Sequence, residues 1–279
     1  MTIPVARYVA SRVVRWMPRK AIGHVVGRAC DAPLHPVVSR AIVEVFCRLF
    51  RVDMTDVQPM PSPYESFDAF FTRSLQPGRR PVCDGPDDVV SPADGVLQSL
   101  GPIEKGCRIV VKGRSYDVAR LIGDEHDARG LVGGQFAVVY LSPRDYHRVH
   151  APVGGVVRWV RGIPGDVFPV NALGDDCTRS LLVDNKRVVV AIDAPNLGRV
   201  LLVLVGAMVV GRISVGMVSH PDVPAGIHVL DPPVGIARGG EVGAFHLGST
   251  AVVLVGAAAR SWQRAQGLVR VGESLMRFG

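Results

Sequence analysis

From about residue 88 onward the apolar positions come in short runs rich in Val, Ile and Leu. The runs are 107–111, 135–141, 156–160, 187–192, 200–210 and 251–255, and turns rich in Gly, Pro and Asp separate them. Strands at this density, with few helical patterns between them, predict a β-sandwich or barrel-like domain. The first sixty residues keep a different period. Over 4–17, Val5, Val9, Val13 and Trp16 share one helical face, Arg7 points away, and Pro18 closes the pattern. A second helix starts with Pro36 in its first turn, and Val38, Ala41, Ile42, Val45, Phe46 and Leu49 recur behind it at helical spacing. Pro59, Pro61 and Pro63 then mark a connector. Residues 66–75 read as a short helix with Phe67, Phe70 and Phe71 buried and Arg73 free, ended by Gln76-Pro77-Gly78. The pattern predicts an α+β protein, with an N-terminal helical region over 1–60 and a β-rich sandwich- or barrel-like domain over 61–279.

Charge adds a partner to this picture. Residues 1–60 carry nine Lys and Arg against four acids, so five of the seven net positive charges lie there. Basic residues interleaved with Val, Ile, Trp and Phe suit an anionic membrane surface, with a solvated helical face as the plainer alternative. Nucleic acid is not expected, because no zinc-finger spacing and no RNP-like aromatic motif occurs. Five cysteines, scattered and without a CxxC pair, argue for a reducing compartment and against a disulfide scaffold or a Cys-based zinc site. Residues 1–20 lack the apolar core of a signal peptide, and the longest apolar run, 200–211, is about half a membrane span. Membrane association is therefore expected to be peripheral.

Three stretches carry candidate chemistry. Ser91-Pro92-Ala93-Asp94-Gly95 is ordinary turn composition when read alone. In Ser142-Pro143-Arg144-Asp145-Tyr146-His147-Arg148-Val149-His150-Ala151-Pro152, the start resembles a capped single helical turn. The residues before Pro152 read as extended. Two histidines three apart could ligate a metal, but no third or fourth ligand has matching spacing, so no metal is expected. In Gly243 to Thr250, the pair Gly248-Ser249 precedes an apolar run and is not a GxSxG elbow. Gly248 presents a carbonyl unhindered by a side chain, which a neighbouring hydroxyl can attack where the backbone is strained. A Ser, a His and an Asp brought together would make a nucleophile, a base and an orienting acid.

These stretches, in this order, resemble the phosphatidylserine decarboxylases of the long bacterial and mitochondrial type. The resemblance covers roughly residues 65–275. It adds Phe67 to Arg73, Lys112 to Tyr116, Phe168 to Asn171, Asn185 to Val189, Val205 to Gly211 and Leu247 to Thr250 to the blocks above. It implies a proenzyme that cuts itself between Gly248 and Ser249, giving a β subunit of 1–248 and an α subunit of 249–279. Mapped here, Ser249 attacks the Gly248 carbonyl while His150 takes its proton and Asp94 orients the imidazole. β-Elimination then leaves a pyruvoyl group at position 249, a covalent cofactor that stands in for pyridoxal phosphate. The mature enzyme forms a Schiff base with phosphatidylserine and releases carbon dioxide and phosphatidylethanolamine, with His147 as the acid/base of that step. The resemblance also implies a homodimer at the cytoplasmic face of the cell membrane. Arg114 and Ser115, and Ala172 to Gly174 after Asn171, depart from the commonest pattern in likely loops. Two other readings remain at this point: a Ser-His-Asp hydrolase acting in trans, and a non-catalytic membrane-binding module.

Overall fold

The computed structural model describes residues 5–85, 88–170, 172–208, 211–257, 261–262 and 264–277. Asn171, Val209 and Val210, and the side chains of Val5, Arg7 and Val9, lie outside the described residues. The N-terminal region holds three helices rather than two: α1 (Val5–Trp16), α2 (Arg19–Asp31) and α3 (Pro36–Phe50). Gly23 and Gly27 weaken the helical signal of α2. Both are buried, so the missing side chains let the helix pack closely. Ser66 caps α4 (Phe67–Phe71) by accepting from the Ala69 N–H at 3.1 Å. Arg73, expected to be free, is only 3% exposed, because its guanidinium lies over the Phe70 ring and donates to the carbonyls of Arg144 and Asp145.

The centre is one antiparallel eight-stranded sheet. In spatial order its strands are β11 (Gly226–Ile236), β7 (Gly155–Ile163), β8 (Arg187–Ala194), β9 (Gly198–Gly206), β13 (Ser249–Val255), β5 (Gln135–Leu141), β2 (Gly95–Pro102) and β15 (Gly267–Val269). The long apolar run after residue 200 stops being strand at Gly206. β11 escaped the sequence reading because Pro232 and Pro233 look like breakers. It lies at the sheet edge, where a residue without an N–H is tolerated.

Two smaller sheets lie against one face of the large one. The first is β10 (Arg212–Val215), β12 (Glu241–His246) and β6 (Arg148–His150); the second is β1 (Val89–Val90), β16 (Ser274–Arg277) and β14 (Ser261–Trp262). The core between these layers holds Val139, Leu141, Ala251 and Val253 from the large sheet and Val149, Ile213 and Phe245 from the small one. The opposite face is covered by the hairpin β3 (Arg108–Val111) and β4 (Arg114–Asp117), by α5 (Val118–Ile122) and α6 (Glu125–Arg129), and by α8 (Leu181–Asp184). α7 (Ala172–Cys177) packs on α1. The architecture is an open sandwich, because the large sheet ends at β11 and β15 and does not close into a barrel. The alternation that predicts a half-buried strand is missing from β8, β9 and β13 because both their faces are covered.

Candidate active site

Gly248 and Ser249 occupy the corner where the chain leaves the small sheet and enters the middle of the large one. β12 ends at His246, β13 begins at Ser249, and only Leu247 and Gly248 connect them. Both are left-handed, with φ of 75° and 67°. Glycine accepts that region freely, while a leucine there costs about 1–2 kcal/mol. Space also favours glycine at 248, since a Cβ would lie 3.2 Å from the Ala207 Cβ and 3.4 Å from the Met208 carbonyl oxygen. A strained peptide thus sits immediately before the candidate nucleophile.

The direction of the Ser249 side chain follows from register. Ser249 pairs with Leu141 on one side and Gly206 on the other, and Ala251, two residues on, faces the core between the sheets. Alternation puts the Ser249 hydroxyl on the same inner face. It is fully buried, and its Oγ has no hydrogen-bond partner. An unpaired buried hydroxyl costs about 1–3 kcal/mol.

The same rule separates the two histidines. His147, Val149 and Ala151 are all fully buried, whereas Arg148 and His150 alternate to the partly exposed side. His147, just before β6, receives the Phe245 N–H at its carbonyl and by this alternation lies on the buried side of the small sheet. Its Nδ1 lies 2.8 Å from the Asp145 carbonyl oxygen, which makes Nδ1 the protonated nitrogen and leaves a lone pair on Nε2. Nε2 is buried and unpartnered. The Phe71 ring packs against the imidazole, with centroids 4.0 Å apart and planes tilted by 43°. Burial pushes the His147 pKa down to about 3, and the Arg73 charge adds to this against the bond to Asp145. No hydrogen bond joins His147 to Ser249.

His150 has both nitrogens engaged. Nδ1 donates to the Gly239 carbonyl at 2.8 Å, and Nε2 accepts from the Tyr146 hydroxyl at 3.2 Å. Burial lowers its pKa, opposed by the Gly239 bond and by the charges of Glu241 and Asp94. Asp94 is also engaged: Arg80 Nε lies 2.9 Å from each of its oxygens, Arg80 Nη2 is 2.6 Å from Oδ2, and the Val271 N–H donates to Oδ1 at 2.8 Å. The structure does bring the two residues to one end of the fold, since the His150 N–H bonds the Pro92 carbonyl at 2.8 Å. It does not join them by a hydrogen bond, nor either of them to Ser249. Val96 and Thr250 both pair with Tyr140, so they stand two strand spacings apart, about 10 Å. Asp94 and Gly248 are each two residues upstream on these co-directional strands.

The turn before His147 is tight rather than helical, and its acid reaches back instead of its serine reaching forward. Asp145 accepts from the Ser142 N–H and hydroxyl, each at 2.7 Å. A cavity of about 190 Å³ opens beside it, lined by Arg73, Arg80, Asp94, Arg144, Asp145 and Tyr146. A larger cavity of about 740 Å³ lies against α3 and the proline-rich connector, among Val43, Met54, Met60 and Tyr64. The first gathers the charged groups around Asp94, while His147, His150 and Ser249 lie outside its lining. Sequence reasoning missed Arg80 as the partner of Asp94 and Arg73 as the residue behind the Asp145 carbonyl. Among the described residues, no group of three or more His, Cys, Asp or Glu side chains is placed to hold a metal.

The residues also fit a cofactor made from the chain itself. Such a group requires a serine hydroxyl beside an unhindered carbonyl, and here a buried, unpaired Ser249 hydroxyl follows a left-handed Gly248. Comparison with known proteins points the same way. A sequence profile of phosphatidylserine decarboxylase matches residues 67–277. A phosphatidylserine decarboxylase proenzyme of Pseudomonas paraeruginosa is 40% identical over 273 residues, 93% of this chain and 93% of its own length. One from Myxococcus xanthus is 35% identical over 270 residues, covering 95% and 96% of the two chains.

Proposed function

The chain belongs to the phosphatidylserine decarboxylase family, and we propose that it is a proenzyme that cuts itself at Gly248–Ser249 and then decarboxylates phosphatidylserine to phosphatidylethanolamine. The observation that carries the reading is the left-handed Leu247–Gly248 corner in front of a buried, unpaired Ser249 hydroxyl. The Ser249 oxygen adds to the Gly248 carbonyl, the peptide C–N bond breaks, and an ester and a free amine result. Loss of the Ser249 α-proton expels the Gly248 carboxylate and leaves dehydroalanine. Its imine tautomer takes up water and loses ammonia, so residues 249–279 begin with a pyruvoyl group. That group supplies an electrophilic carbonyl for the substrate amine and an electron sink for the carboxylate's departure.

Ser249 is the nucleophile in this reading, and Asp94 with His150 form its relay. Support comes from the meeting of both residues at the sheet end from which Gly248 emerges. The relay requires Arg80 to release Asp94, and Tyr146 and Gly239 to release His150. His147, neutral and desolvated, is the acid/base of decarboxylation in this reading: its Nε2 lone pair takes up a proton and returns it to the carbon that the carboxylate leaves. A second reading gives the cleavage step itself to His147, favoured by its unpaired Nε2 on the inner face. Intact mass of freshly expressed variants separates them. Wild type is expected to give two fragments, and Ser249→Ala one. His147→Ala cut and His150→Ala whole supports the relay; the reverse outcome assigns cleavage to His147. An active wild-type protein that stays whole refutes the proposal.

The helical region is the proposed membrane contact. No helix among the described residues is long and apolar enough to cross a bilayer. Yet Val38, Ile42, Val45 and Leu49 form an outward stripe on α3 at 38–72% exposure, and Trp16 is 82% exposed. Phe46 alone of that pattern turns inward, onto Phe67, Phe70 and Phe71. With Arg12, Arg15, Lys20, Arg40 and Arg48 nearby in sequence, the stripe suits an interfacial position on anionic lipid. Residues 1–60 as the membrane-associating part, 61–279 as the catalytic domain, a homodimer and attachment at the cytoplasmic face complete the proposal on the family resemblance.

A further inference from the structure

The outer face of the small sheet carries a network that the reaction does not use. Arg212 pairs with His246 and Ser214 with Ala244 across β10 and β12, so Arg212, Ser214 and His246 share one face. Phe245, between them in sequence, points the other way into the core. The His246 Nδ1 lies 2.7 and 2.9 Å from the two Asp68 oxygens, and its Nε2 lies 3.0 Å from the Ser214 hydroxyl. Arg212 Nη2 is 2.9 Å from Asp68 and 3.0 Å from the same His246 nitrogen, and Arg212 also grips Asp31 at 2.5 and 2.7 Å. The side chains of His246, Asp68 and Arg212 are only 12%, 16% and 18% exposed, so water screens these contacts weakly. Asp68 comes from α4 and Asp31 from the end of α2.

His246 is the last residue of β12, two before Gly248. Downstream of the corner the backbone is fixed, because β13 is paired on both sides from Ser249 onward. Upstream it is paired on one side only, where β10 places Arg212 opposite His246. The ladder to β6 ends with Ala244 opposite Arg148, after which only the Phe245 N–H reaches the His147 carbonyl. A leucine at φ 75° keeps that conformation only while its surroundings enforce it. At His246, where the ladder to β10 ends and none to β6 remains, the further contact is made by the side chain.

We propose that Asp68, backed by Arg212 and Asp31, is a positioning residue for self-cleavage: it clamps His246 and thereby holds Leu247–Gly248 in the left-handed corner that offers the Gly248 carbonyl to Ser249. The inference rests on the self-cleaving reading and deepens it. None of the clamp residues touches the reacting atoms. It also ties the scissile corner to the N-terminal helices through Asp31.

The test is a pulse-chase of the full chain, following loss of the uncut species by intact mass. Asp68→Asn, which keeps the shape and removes the charge, is expected to slow cutting about tenfold, the rate equivalent of one left-handed residue no longer held. Leu247→Gly added to Asp68→Asn is expected to restore most of the rate, since glycine holds φ 75° without a clamp. A network that merely supported the fold would gain nothing from that second change. Asp68→Asn cutting at the wild-type rate overturns the clamp, and so does a slow Asp68→Asn that Leu247→Gly fails to rescue. Where Asp68→Asn does not fold, Asp31→Asn at the outer end of the network is read the same way. A wild-type chain that stays whole overturns the proposed function, a result distinct from any of these.

Discussion

His147 gives the most direct physical test of the site. Its ring is fully buried, so charging it means placing an imidazolium beside Phe71 and the Arg73 guanidinium with no partner at Nε2. Burial accordingly holds its pKa near 3, against about 6.5 in the unfolded chain. Below pH 6.5 the unfolded chain takes up a proton that the folded chain refuses. Stability from this residue is therefore complete above pH 6.5 and is lost as the pH falls toward 3. The slope approaches about 1.4 kcal/mol per pH unit, so acidification from pH 6.5 to 4.5 removes about 2 kcal/mol. In a chain of this size that is roughly 4–8 °C in melting temperature. The assay is thermal unfolding across that range in a Ser249→Ala background, which keeps a single uncut species. His147→Gln, which cannot titrate, is expected to flatten the acid-side decline by that amount, leaving the contributions of His150 and the carboxylates. Equal slopes in the two proteins would falsify the burial argument, and with it the neutral Nε2 on which the site reading depends.

Gly248→Ala is expected to slow self-cleavage about tenfold, because alanine at φ 67° is strained by about 1–2 kcal/mol and its Cβ crowds Ala207; a time course on a denaturing gel measures it. Arg80→Gln leaves Asp94 with only the Val271 N–H and is expected to cost about 3–5 kcal/mol in chemical denaturation. If Asp94 serves the relay, that variant nevertheless still cuts, whereas Asp94→Asn stays whole. Val45→Asp combined with Leu49→Asp removes the C-terminal, most exposed half of the α3 stripe and is expected to abolish flotation with anionic vesicles while leaving the melting temperature unchanged; unchanged flotation rules out this face as the membrane contact.

What the sequence made legible was whatever depends on local period or on a covalent order of residues. The strands at 135–141 and 251–255 were visible because their apolar runs are bounded by turn residues. α3 was visible through Pro36 and its stripe, although the stripe faces outward. α2 was not, since Gly23 and Gly27 interrupt its apolar pattern until α4 is present to pack against. Asp94, His147, His150 and Ser249 could be named from their motifs. Their partners could not, because Arg80 and Arg73 read as surface charge until the fold buries them. The inward direction of His147 was readable in principle, since Val149 and Ala151 alternate with it, but only after the residues before Pro152 are placed in a strand. His246, Asp68 and Arg212 come from three distant stretches, and no spacing along the chain connects them.

The position of the corner explains how a chain could be cut there and still hold together. β13 lies between β9 and β5, and its residues from Ala251 to Val255 are fully buried, so residues 249–279 supply the middle of the large sheet. Four of those side chains are Val or Leu, each contributing about 1.5–3 kcal/mol on burial, and ladder bonds run on both sides. β15 and β16 add pairs with β2 and β1. On the other side of the Gly248–Ser249 peptide, β12 is held by β10, β6 and the Asp68 network. Neither flank depends on the Gly248–Ser249 peptide for its place. Breaking it would release a strained leucine and free the start of a buried strand, while the small sheet before it keeps its own pairings. A serine at this corner can therefore be consumed as a nucleophile, and its remnant kept, on the same scaffold.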